Sequence, residues 1–311
     1  MNTAFLFPGQ GAQVAGMGAD VAAEFPVAEK IFKKANDILG YDLRKLCFEG
    51  PQEELNATTV SQPAIFTTSV AILEVLRENN KTKGIIPQVT AGLSLGEYTA
   101  LYAAGIVSFE DGLKLVHKRG QAMQEAADAS KGSMVSILGL DEDKVQALCN
   151  EAAQGQLLVP ANFNCPGQIV ITGEIEACQR AVELAPKYNA IKAIPLAVAG
   201  AFHSAIMQPA ADALAKAIAQ TNLNMPKNIK VIANIDAQYY ASVEKIGAGL
   251  VKQLVEPILW QNCMEKLLAD GFTEFYEIGP GRVLTGLMKK IDRKAKVNNI
   301  SNAQSLKDLI G

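Results

Sequence analysis

The order of strands and helices in residues 133–196 constrains the fold more than any other feature of this sequence. Short apolar runs and amphipathic runs follow one another there as strand, helix, strand, strand, helix and strand. This βαββαβ order is that of a ferredoxin-like unit, which closes on itself and can be inserted into a larger domain. The predicted strands are Ser133–Gly139, Leu157–Phe163, Gln168–Gly173 and Ile191–Leu196, and the predicted helices are Asp141–Ala153 and Ile175–Lys187.

On both sides of this unit, short apolar strands alternate with longer helices, which predicts a parallel sheet covered by helices. We therefore expect an α/β fold with a large part formed by residues 1–130 and 198–311 and a small ferredoxin-like part formed by residues 131–197. The predicted strands of the large part are Thr3–Phe7, Val89–Leu93, Lys230–Ala233 and Glu274–Ile278. Its predicted helices are Gln62–Asn79, Leu95–Ala104, Phe109–Ala127, Ala205–Gln220, Ile246–Leu254 and Trp260–Asp270.

Composition excludes several classes of protein. Of the 311 residues, 49% are hydrophobic and 20% are charged, which is typical of a chain with a sizeable core. The net charge of −3 gives no global positive field, and no apolar run is expected to reach the length of a membrane span, so we expect neither nucleic acid nor a membrane as a partner. The five scattered cysteines contain no C-x-x-C pair, which predicts reduced thiols rather than a metal or redox site.

Ser94 lies between a predicted strand and a predicted helix, in Gly92-Leu93-Ser94-Leu95-Gly96. This G-x-S-x-G pattern in this context is typical of a nucleophile elbow, whose strained turn needs small neighbours. The helix that follows directs free N–H groups at an oxygen bound beside the serine. The alternative is a serine that only caps a helix. Because both the strand and the helix are predicted, we interpret Ser94 as a nucleophile.

A serine nucleophile needs a base, and the sequence contains two histidines. His203 follows a predicted strand and precedes a helix, where active-site loops are found, whereas His117 lies inside a helix, where packing or exposure explains it. We predict that His203 is the base. No histidine follows it, unlike the order in ordinary α/β-hydrolases, and no carboxylate between Ser94 and His203 is marked as the orienting acid. The third role stays open, and a main-chain carbonyl can fill it.

Two further features are weak evidence alone. The loop Phe7-Pro8-Gly9-Gln10-Gly11 follows the first predicted strand and offers main-chain N–H groups, either as an oxyanion hole formed by the Gln10 and Leu95 amides or merely as a tight turn. Val14 stands where a dinucleotide site would have its third glycine, which disfavours such a site.

The guanidinium of Arg119 suits a substrate carboxylate, although most arginines in amphipathic helices are simply solvated.

Together, six motifs resemble those of the malonyl-CoA:acyl-carrier-protein transacylases, to which the acyltransferase domains of polyketide and fatty-acid synthases are related. The resemblance spans nearly the whole chain, and the motifs stand in the family's order. They are Phe7-Pro8-Gly9-Gln10-Gly11-Ala12-Gln13, Gly92-Leu93-Ser94-Leu95-Gly96-Glu97-Tyr98, Arg119-Gly120-Gln121-Ala122-Met123-Gln124, Asn162-Phe163-Asn164-Cys165-Pro166-Gly167-Gln168, Ala201-Phe202-His203-Ser204 and Glu277-Ile278-Gly279-Pro280-Gly281.

The resemblance implies a role for each candidate site residue. Ser94 would be acylated, His203 would be the base, and Arg119 would hold the malonyl carboxylate. The Gln10 and Leu95 amides would form the oxyanion hole, the main-chain carbonyl of Gln253 would orient the histidine, and Asn162 and Gln168 would line the cleft between the two parts.

The resemblance also implies an α/β-hydrolase-like core that carries the ferredoxin-like subdomain. We expect a monomer that needs no metal or cofactor. The partners would be malonyl-CoA and holo acyl-carrier protein. Many bacterial members have histidine where this chain has Leu93, and we expect that side chain to be buried with little effect on catalysis. The leucine form is similar to cyanobacterial and plastid members, so the expected location is the cytoplasm or, after removal of a transit peptide, the plastid stroma.

Three other functions remain as alternatives. A serine esterase or thioesterase would use the same elbow but release free acid. An acyltransferase acting in trans for a polyketide pathway would perform identical chemistry with another carrier protein. A non-catalytic scaffold would have to explain why every catalytic element is present. The Ala201-Phe202-His203-Ser204 stretch resembles the malonyl-selecting form of the synthase domains, which favours malonyl as the donor.

Overall fold

The structure is a computed structural model that describes residues 2–82, 84–225 and 228–310. Its strands are β1 (Thr3–Phe7), β2 (Val89–Gly92), β3 (Gly132–Leu138), β4 (Leu158–Cys165), β5 (Gln168–Glu174), β6 (Lys192–Pro195), β7 (Lys230–Val231), β8 (Glu274–Ile278) and β9 (Lys296–Ile300). Its helices are α1 (Ala19–Glu24), α2 (Pro26–Leu39), α3 (Leu43–Glu49), α4 (Gln52–Asn56), α5 (Thr58–Glu78), α6 (Gly96–Ala103), α7 (Phe109–Asp128), α8 (Glu142–Ala153), α9 (Ile175–Leu184), α10 (Gln208–Ala219), α11 (Val243–Lys252), α12 (Trp260–Ala269), α13 (Val283–Ile291) and α14 (Ala303–Ile310).

The first sheet has five strands in the order β7-β2-β1-β8-β9, and every pair in it is parallel. All residues of the central strand β1 are buried, as parallel sheets covered on both faces require. The predicted parallel core is therefore confirmed.

Strand β9 was not predicted, because its sequence Lys-Val-Asn-Asn-Ile has no apolar run. The helices between residues 19 and 56 were also missed, and three of them have only five to seven residues, too few to show a helical period.

The second sheet has four antiparallel strands in the order β4-β5-β3-β6. Helices α8 and α9 pack on it around a separate hydrophobic cluster that includes Val145 and Leu148. The Asp141 carboxylate starts α8 by accepting a hydrogen bond from the Lys144 amide at 2.9 Å. The βαββαβ order and the mixed α/β class are thus confirmed. The subdomain limits at residues 131 and 197 stay a prediction.

Helix α5 corrects one expectation from the sequence. Among the described residues it is the one helix long and apolar enough to cross a membrane, with a mean hydropathy of 1.3 over its best window. The expectation that no run reaches this length was therefore wrong. However, 83% of that window is buried inside the protein, where α5 packs against α2 and α7. Burial of this extent is typical of a core helix, and a single such helix is weak evidence for a membrane span.

The two sheets meet at strand β4. The Phe163 amide donates to the Ile258 carbonyl at 2.9 Å, and the Ile258 amide donates to the Ala161 carbonyl at 2.8 Å. These bonds join the edge of the antiparallel sheet to the loop before α12, so a cleft remains between β4 and β5 on one side and the carboxyl edge of the parallel sheet on the other. Ligands of open α/β sheets bind at that edge.

All five cysteines are free thiols and all are buried. Burial raises the pKa of Cys47 and of Cys149 to about 12. No pair of them is joined, and their reduced state in solution stays a prediction. Ionisation is what makes a thiol reactive, and these thiols stay protonated at neutral pH.

Candidate active site

Ser94 occupies a sharp turn between β2, which ends at Gly92, and α6, which begins at Gly96. Its φ of +50° lies in the left-handed region, which a residue other than glycine adopts only when the surroundings impose it. A Cβ on Gly92 would lie 1.9 Å from the Gly96 carbonyl, and one on Gly96 would lie 2.1 Å from the Phe7 oxygen. Both glycines are thus needed for backbone contact, and the turn has the geometry of a nucleophile elbow.

His203 lies beside this serine and is oriented by a main-chain carbonyl. The Ser94 Oγ is 3.0 Å from His203 Nε2, and His203 Nδ1 is 2.6 Å from the carbonyl oxygen of Gln253. A carbonyl only accepts hydrogen bonds, so Nδ1 carries the proton and Nε2 is left to accept the serine hydroxyl. The role that the sequence left open is filled by Gln253. His117, by contrast, lies in the middle of α7 with its ring 6.1 Å from that of Tyr41.

The surroundings keep the His203 imidazole neutral. Burial, and then the positive charge of Arg119, lower its pKa to about 3, although the hydrogen bond to Gln253 opposes them. At neutral pH the ring therefore has a free lone pair on Nε2 that faces the Ser94 hydroxyl. This is the protonation state that a general base requires.

Arg119 is a buried cation at the centre of the site, with a residue exposure of 1%. Its Nη2 donates to Ser94 Oγ and to Gln253 Oε1, each at 3.0 Å, and its Nη1 donates to Gln62 Oε1 at 2.7 Å. Its guanidinium carbon lies 5.4 Å from the centroid of the Tyr98 ring. Within the described ranges, no carboxylate forms an ion pair with Arg119, and its Nε has no hydrogen-bond partner. The nearby carboxylate of Glu97 acts on its charge but is separated from it by the Gln253 side chain. A buried guanidinium without a directly paired anion favours a ligand that brings one.

Two main-chain amides border the serine. Gln10 follows β1 and faces the cleft, and Leu95 begins the turn into α6. In the part of the chain that the structure describes, neither N–H donates a hydrogen bond. A Cβ on Gly9 would lie 2.3 Å from the Leu93 carbonyl, so the Gln10 loop packs directly on the elbow. Both amides are therefore available to a ligand oxygen beside Ser94.

The cleft in front of Ser94 has a volume of about 380 Å³. Asn162 on β4 and Gln168 on β5 line it, as the family resemblance implied, and Gln168 Oε1 accepts a hydrogen bond from Lys290 Nζ at 3.0 Å. Leu93 also lines the cleft and is only half-buried, so the expectation that it is buried was wrong. Because its side chain faces the cleft, it contacts the space that a substrate would occupy. The other side chains of the cleft wall include Gln13, Met123, Met134, Asn164, Val198 and Phe202.

Sequence reasoning missed two residues of this site. Asn234 follows β7; its Oδ1 accepts the Ser94 amide at 2.7 Å and its Nδ2 donates to the Gly92 carbonyl at 2.8 Å. Glu97 is fully buried and accepts hydrogen bonds from Gln253 Nε2 at 2.7 Å and from the Asn234 amide at 3.2 Å. Two signals in the sequence could have identified them. Asn234 is a polar residue at the carboxyl end of a parallel strand, and Glu97 is a carboxylate within an apolar helix.

A strained serine between a parallel strand and a helix, with a histidine oriented from behind, is an arrangement of enzymes that form an ester on serine. Residues 4–310 match the family model described as the acyl transferase domain. The match thus includes both sheets and every candidate site residue named above.

Individual relatives narrow the class. The malonyl CoA-acyl carrier protein transacylases of Escherichia coli and Bacillus subtilis are 45% and 43% identical, over 93% and 97% of this chain and 92% and 94% of theirs. A solved acyl carrier protein S-malonyltransferase from Vibrio cholerae is 42% identical with a TM-score of 0.94, covering 99% of this chain and all of that one. A malonyl-transacylase solved in complex with its type II polyketide acyl-carrier protein is 43% identical, also with a TM-score of 0.94, covering 100% and 99%. The chain therefore belongs to the acyl transferase family, among its malonyl-CoA:acyl-carrier-protein transacylases.

Proposed function

We propose that this protein transfers a malonyl group from malonyl-CoA to the phosphopantetheine thiol of acyl-carrier protein, through an ester on Ser94. The observation that carries the proposal is the buried Arg119 guanidinium, which lies 3.0 Å from the nucleophile and forms no direct ion pair with a carboxylate of the described residues. An acyl group that ends in a carboxylate would supply the missing anion. Malonyl is such a group, and it is also the group that the similar transacylases of Escherichia coli and Bacillus subtilis are named for.

In the first half-reaction, Ser94 Oγ attacks the thioester carbonyl carbon and its proton passes to His203 Nε2, which lies 3.0 Å away. The carbonyl oxygen becomes negative and is stabilised by the Gln10 and Leu95 amides. The carbon–sulfur bond then breaks, and the CoA sulfur takes the proton from His203. In the second half-reaction the carrier thiol gives its proton to His203 and attacks the carbonyl carbon of the Ser94 ester. The carbon–oxygen bond to Ser94 then breaks, and the serine oxygen takes the proton from His203, which restores the free enzyme. No redox step is involved.

The substrate charge would assist the base. In the free protein the charge of Arg119 is one cause of the low pKa of His203. A malonyl carboxylate paired with Arg119 would offset that charge, so that the imidazolium formed during attack becomes less unfavourable. Acyl groups without a carboxylate would leave the charge uncompensated. Selectivity for malonyl would thus act on the rate of the chemical step as well as on binding.

The cleft would hold the pantetheine arm. Its apolar wall, which includes Leu93, Met123 and Phe202, suits the methylene groups, while Asn162 and Gln168 would bind the amides. Holo acyl-carrier protein would deliver the same arm as CoA, as the relative in complex with such a protein suggests. We expect no metal or other cofactor in the reaction.

The pathway and the location belong to the same proposal. The named relatives are bacterial, and we propose that the protein acts as a monomer in the cytoplasm and supplies fatty-acid elongation, with the plastid stroma as the alternative location. Because one similar transacylase was solved with a polyketide carrier protein, a polyketide pathway is the second candidate. The carrier protein that accepts the malonyl group fastest would distinguish the two.

The test is the intact mass of the protein after brief exposure to malonyl-CoA, followed by addition of holo acyl-carrier protein. We expect one malonyl adduct on the wild type, none on Ser94→Ala, and movement of the adduct to the carrier. Release of free malonate without loading of the carrier would instead make the protein a hydrolase. Absence of an adduct from malonyl-CoA, with one from another acyl-CoA, would overturn the choice of donor.

A further inference from the structure

Glu97 has no part in the reaction above, yet it is the fully buried carboxylate nearest to the site in sequence. It lies in the first turn of α6, three residues after the nucleophile, in the apolar sequence Gly-Glu-Tyr-Thr-Ala-Leu-Tyr-Ala. Burying a carboxylate is costly unless its oxygens accept hydrogen bonds. The groups that donate hydrogen bonds to Glu97 therefore indicate what the residue does.

Both oxygens of Glu97 have partners, and these come from distant parts of the chain. Oε2 accepts from Gln253 Nε2 at 2.7 Å and from the Asn234 amide at 3.2 Å. Oε1 accepts from the Tyr240 hydroxyl. Thus one carboxylate joins α6 to the segment after β7 and to the end of α11. In sequence these partners are more than a hundred residues away.

From Glu97 one branch leads to the nucleophile. The main-chain N–H of Asn234 is held by Glu97. The side chain of Asn234 accepts a hydrogen bond from the main-chain N–H of Ser94 on Oδ1 at 2.7 Å and donates one from Nδ2 to the Gly92 carbonyl at 2.8 Å. Both bonds fall on the turn whose left-handed residue is Ser94. Asn234 therefore stabilises the strained left-handed conformation of Ser94 through hydrogen bonds to the main chain of the turn.

The second branch leads to the base. Gln253 is held through its Nε2, and its main-chain oxygen accepts His203 Nδ1 at 2.6 Å. The same side chain donates to the Ser94 carbonyl at 3.1 Å and accepts from Arg119 at 3.0 Å. The position of the imidazole thus depends on a residue that Glu97 fixes.

We propose that Glu97 is a positioning residue whose carboxylate holds both the turn that carries Ser94 and the carbonyl that orients His203. It sets the separation of nucleophile and base without touching the substrate. Burial raises the pKa of Glu97 to about 7, against the hydrogen bonds that lower it, so both charge states are accessible near neutral pH. Positioning requires the acceptor oxygen rather than the charge. The assignment of the two reacting groups rests on the proposed function.

Two substitutions separate position from charge. Glu97→Gln keeps an acceptor oxygen toward Gln253 and Asn234, while its amide group can face Tyr240, whose hydroxyl also accepts hydrogen bonds. Glu97→Asp keeps the charge but withdraws the carboxylate by one methylene. The matched control is Glu265→Asp, on the exposed face of α12.

The readout is the rate at which phenylmethanesulfonyl fluoride modifies Ser94, followed by intact mass. The serine oxygen bonds to sulfur, the sulfur–fluorine bond breaks, fluoride leaves, and the hydroxyl proton passes through His203 to solvent. No malonyl group is needed. We expect Glu97→Asp to slow this reaction by about 10- to 100-fold, because a displacement of about 1 Å has effects of this size. Glu97→Gln should slow it by no more than about threefold, and Glu265→Asp should not change it.

A proton NMR signal provides a second readout. The chain has two histidines, so the downfield Nδ1 proton of His203 can be assigned with His117→Gln. We expect this signal in the wild type and in Glu97→Gln, and its shift or loss in Glu97→Asp. Wild-type rates in folded Glu97→Asp, or equal slowing by both substitutions, would overturn the proposal.

If Glu97→Asp does not fold, Asn234→Ala tests the branch to the nucleophile alone. It should slow sulfonylation by about tenfold or more while the His203 signal stays in place. An unchanged rate would overturn the proposal. By contrast, a wild type that reacts rapidly with the sulfonyl fluoride but takes no malonyl group would overturn only the proposed function.

Discussion

The two sheets of this molecule contribute to the cleft in different ways. Around the parallel sheet, Ser94, His203 and Arg119 are each held by several hydrogen bonds, and His203 and Arg119 are buried while Ser94 is half-buried. From the antiparallel sheet, Asn162 and Gln168 are half-buried and face open space. Fixed geometry favours the chemical step, whereas half-buried amides favour adaptable binding. We therefore expect substitutions in the first region to act on kcat and substitutions in the second to act on KM.

The largest expected effect is that of His203→Ala. Without the base, the Ser94 hydroxyl must lose its proton to water, so the rate of malonylation should fall by about 10² to 10⁴-fold. Quenched-flow measurement of the acyl-enzyme gives this rate. His117→Ala is the control, since His117 lines a different pocket from the cleft of Ser94, and it should change the rate by less than about twofold. If the His203→Ala protein is acylated at the wild-type rate, His203 is not the base, and the parallel-sheet side of the comparison loses that residue.

Arg119→Ala should have the next largest effect. Each charge-assisted hydrogen bond contributes about 1.5 to 3 kcal/mol, which corresponds to a loss of malonyl transfer of roughly 10- to 150-fold. Acetyl transfer should fall less, so the ratio of acetyl to malonyl transfer rises. Competition between acetyl-CoA and malonyl-CoA measures that ratio. Arg119→Lys should restore it only in part, because an ammonium cannot form the planar fork. An unchanged preference for malonyl would contradict the role of Arg119.

Asn162→Ala and Gln168→Ala test the other side of the comparison. Loss of one neutral hydrogen bond costs about 1 kcal/mol, so KM for malonyl-CoA should rise by about three- to tenfold while kcat changes little. Steady-state kinetics at several donor concentrations separate the two constants. If kcat falls as much as in the Arg119 variants, the antiparallel sheet is part of the chemical machinery, and the comparison drawn above is wrong.

The smallest expected effect is the dependence of acylation on pH. His203 acts as a base only when neutral, and its folded pKa of about 3 keeps it neutral well below the ordinary histidine value. The rate should therefore show no histidine inflection between about pH 5 and 8 and should fall only toward pH 3. In Arg119→Ala one cause of the low pKa is gone, so the inflection should move upward. An inflection near pH 6.5 that persists in Glu97→Gln would mean that the imidazole is solvated rather than buried. One that disappears in Glu97→Gln would belong to Glu97, since burial raises the pKa of that carboxyl to about 7.

Local sequence patterns were enough to predict most of the fold. The βαββαβ unit and the parallel core follow from periods of two and 3.6 residues, which report directly on the face that each element buries. Short helices such as Gln52–Asn56 and the half-buried edge strand Lys296–Ile300 carry too little of either period. The helix Thr58–Glu78 is long and apolar enough to cross a membrane, contrary to the expectation from the sequence, because it is buried on nearly every side inside the protein.

The site was predictable only where its chemistry is local. Ser94 and His203 stand in motifs that a turn or a loop requires, so sequence context identifies them. The Gln253 carbonyl acts through its main chain, which no side-chain pattern reveals, and only the family resemblance pointed to it. Asn234 and Glu97 form bonds across more than a hundred residues of chain. Contacts of that kind depend on the packing of whole elements.

The buried cysteines have a consequence for a protein that handles thioesters. A malonyl group passing from one thiol to another would also react with any ionised thiol in its path. Cys165, the cysteine next to the cleft segment of β4, has an exposure of only 1%, and burial raises its pKa as well. The other four are equally withdrawn. The protein thus keeps its own sulfur atoms out of the exchange, and the hydroxyl of Ser94 faces the cleft in their place.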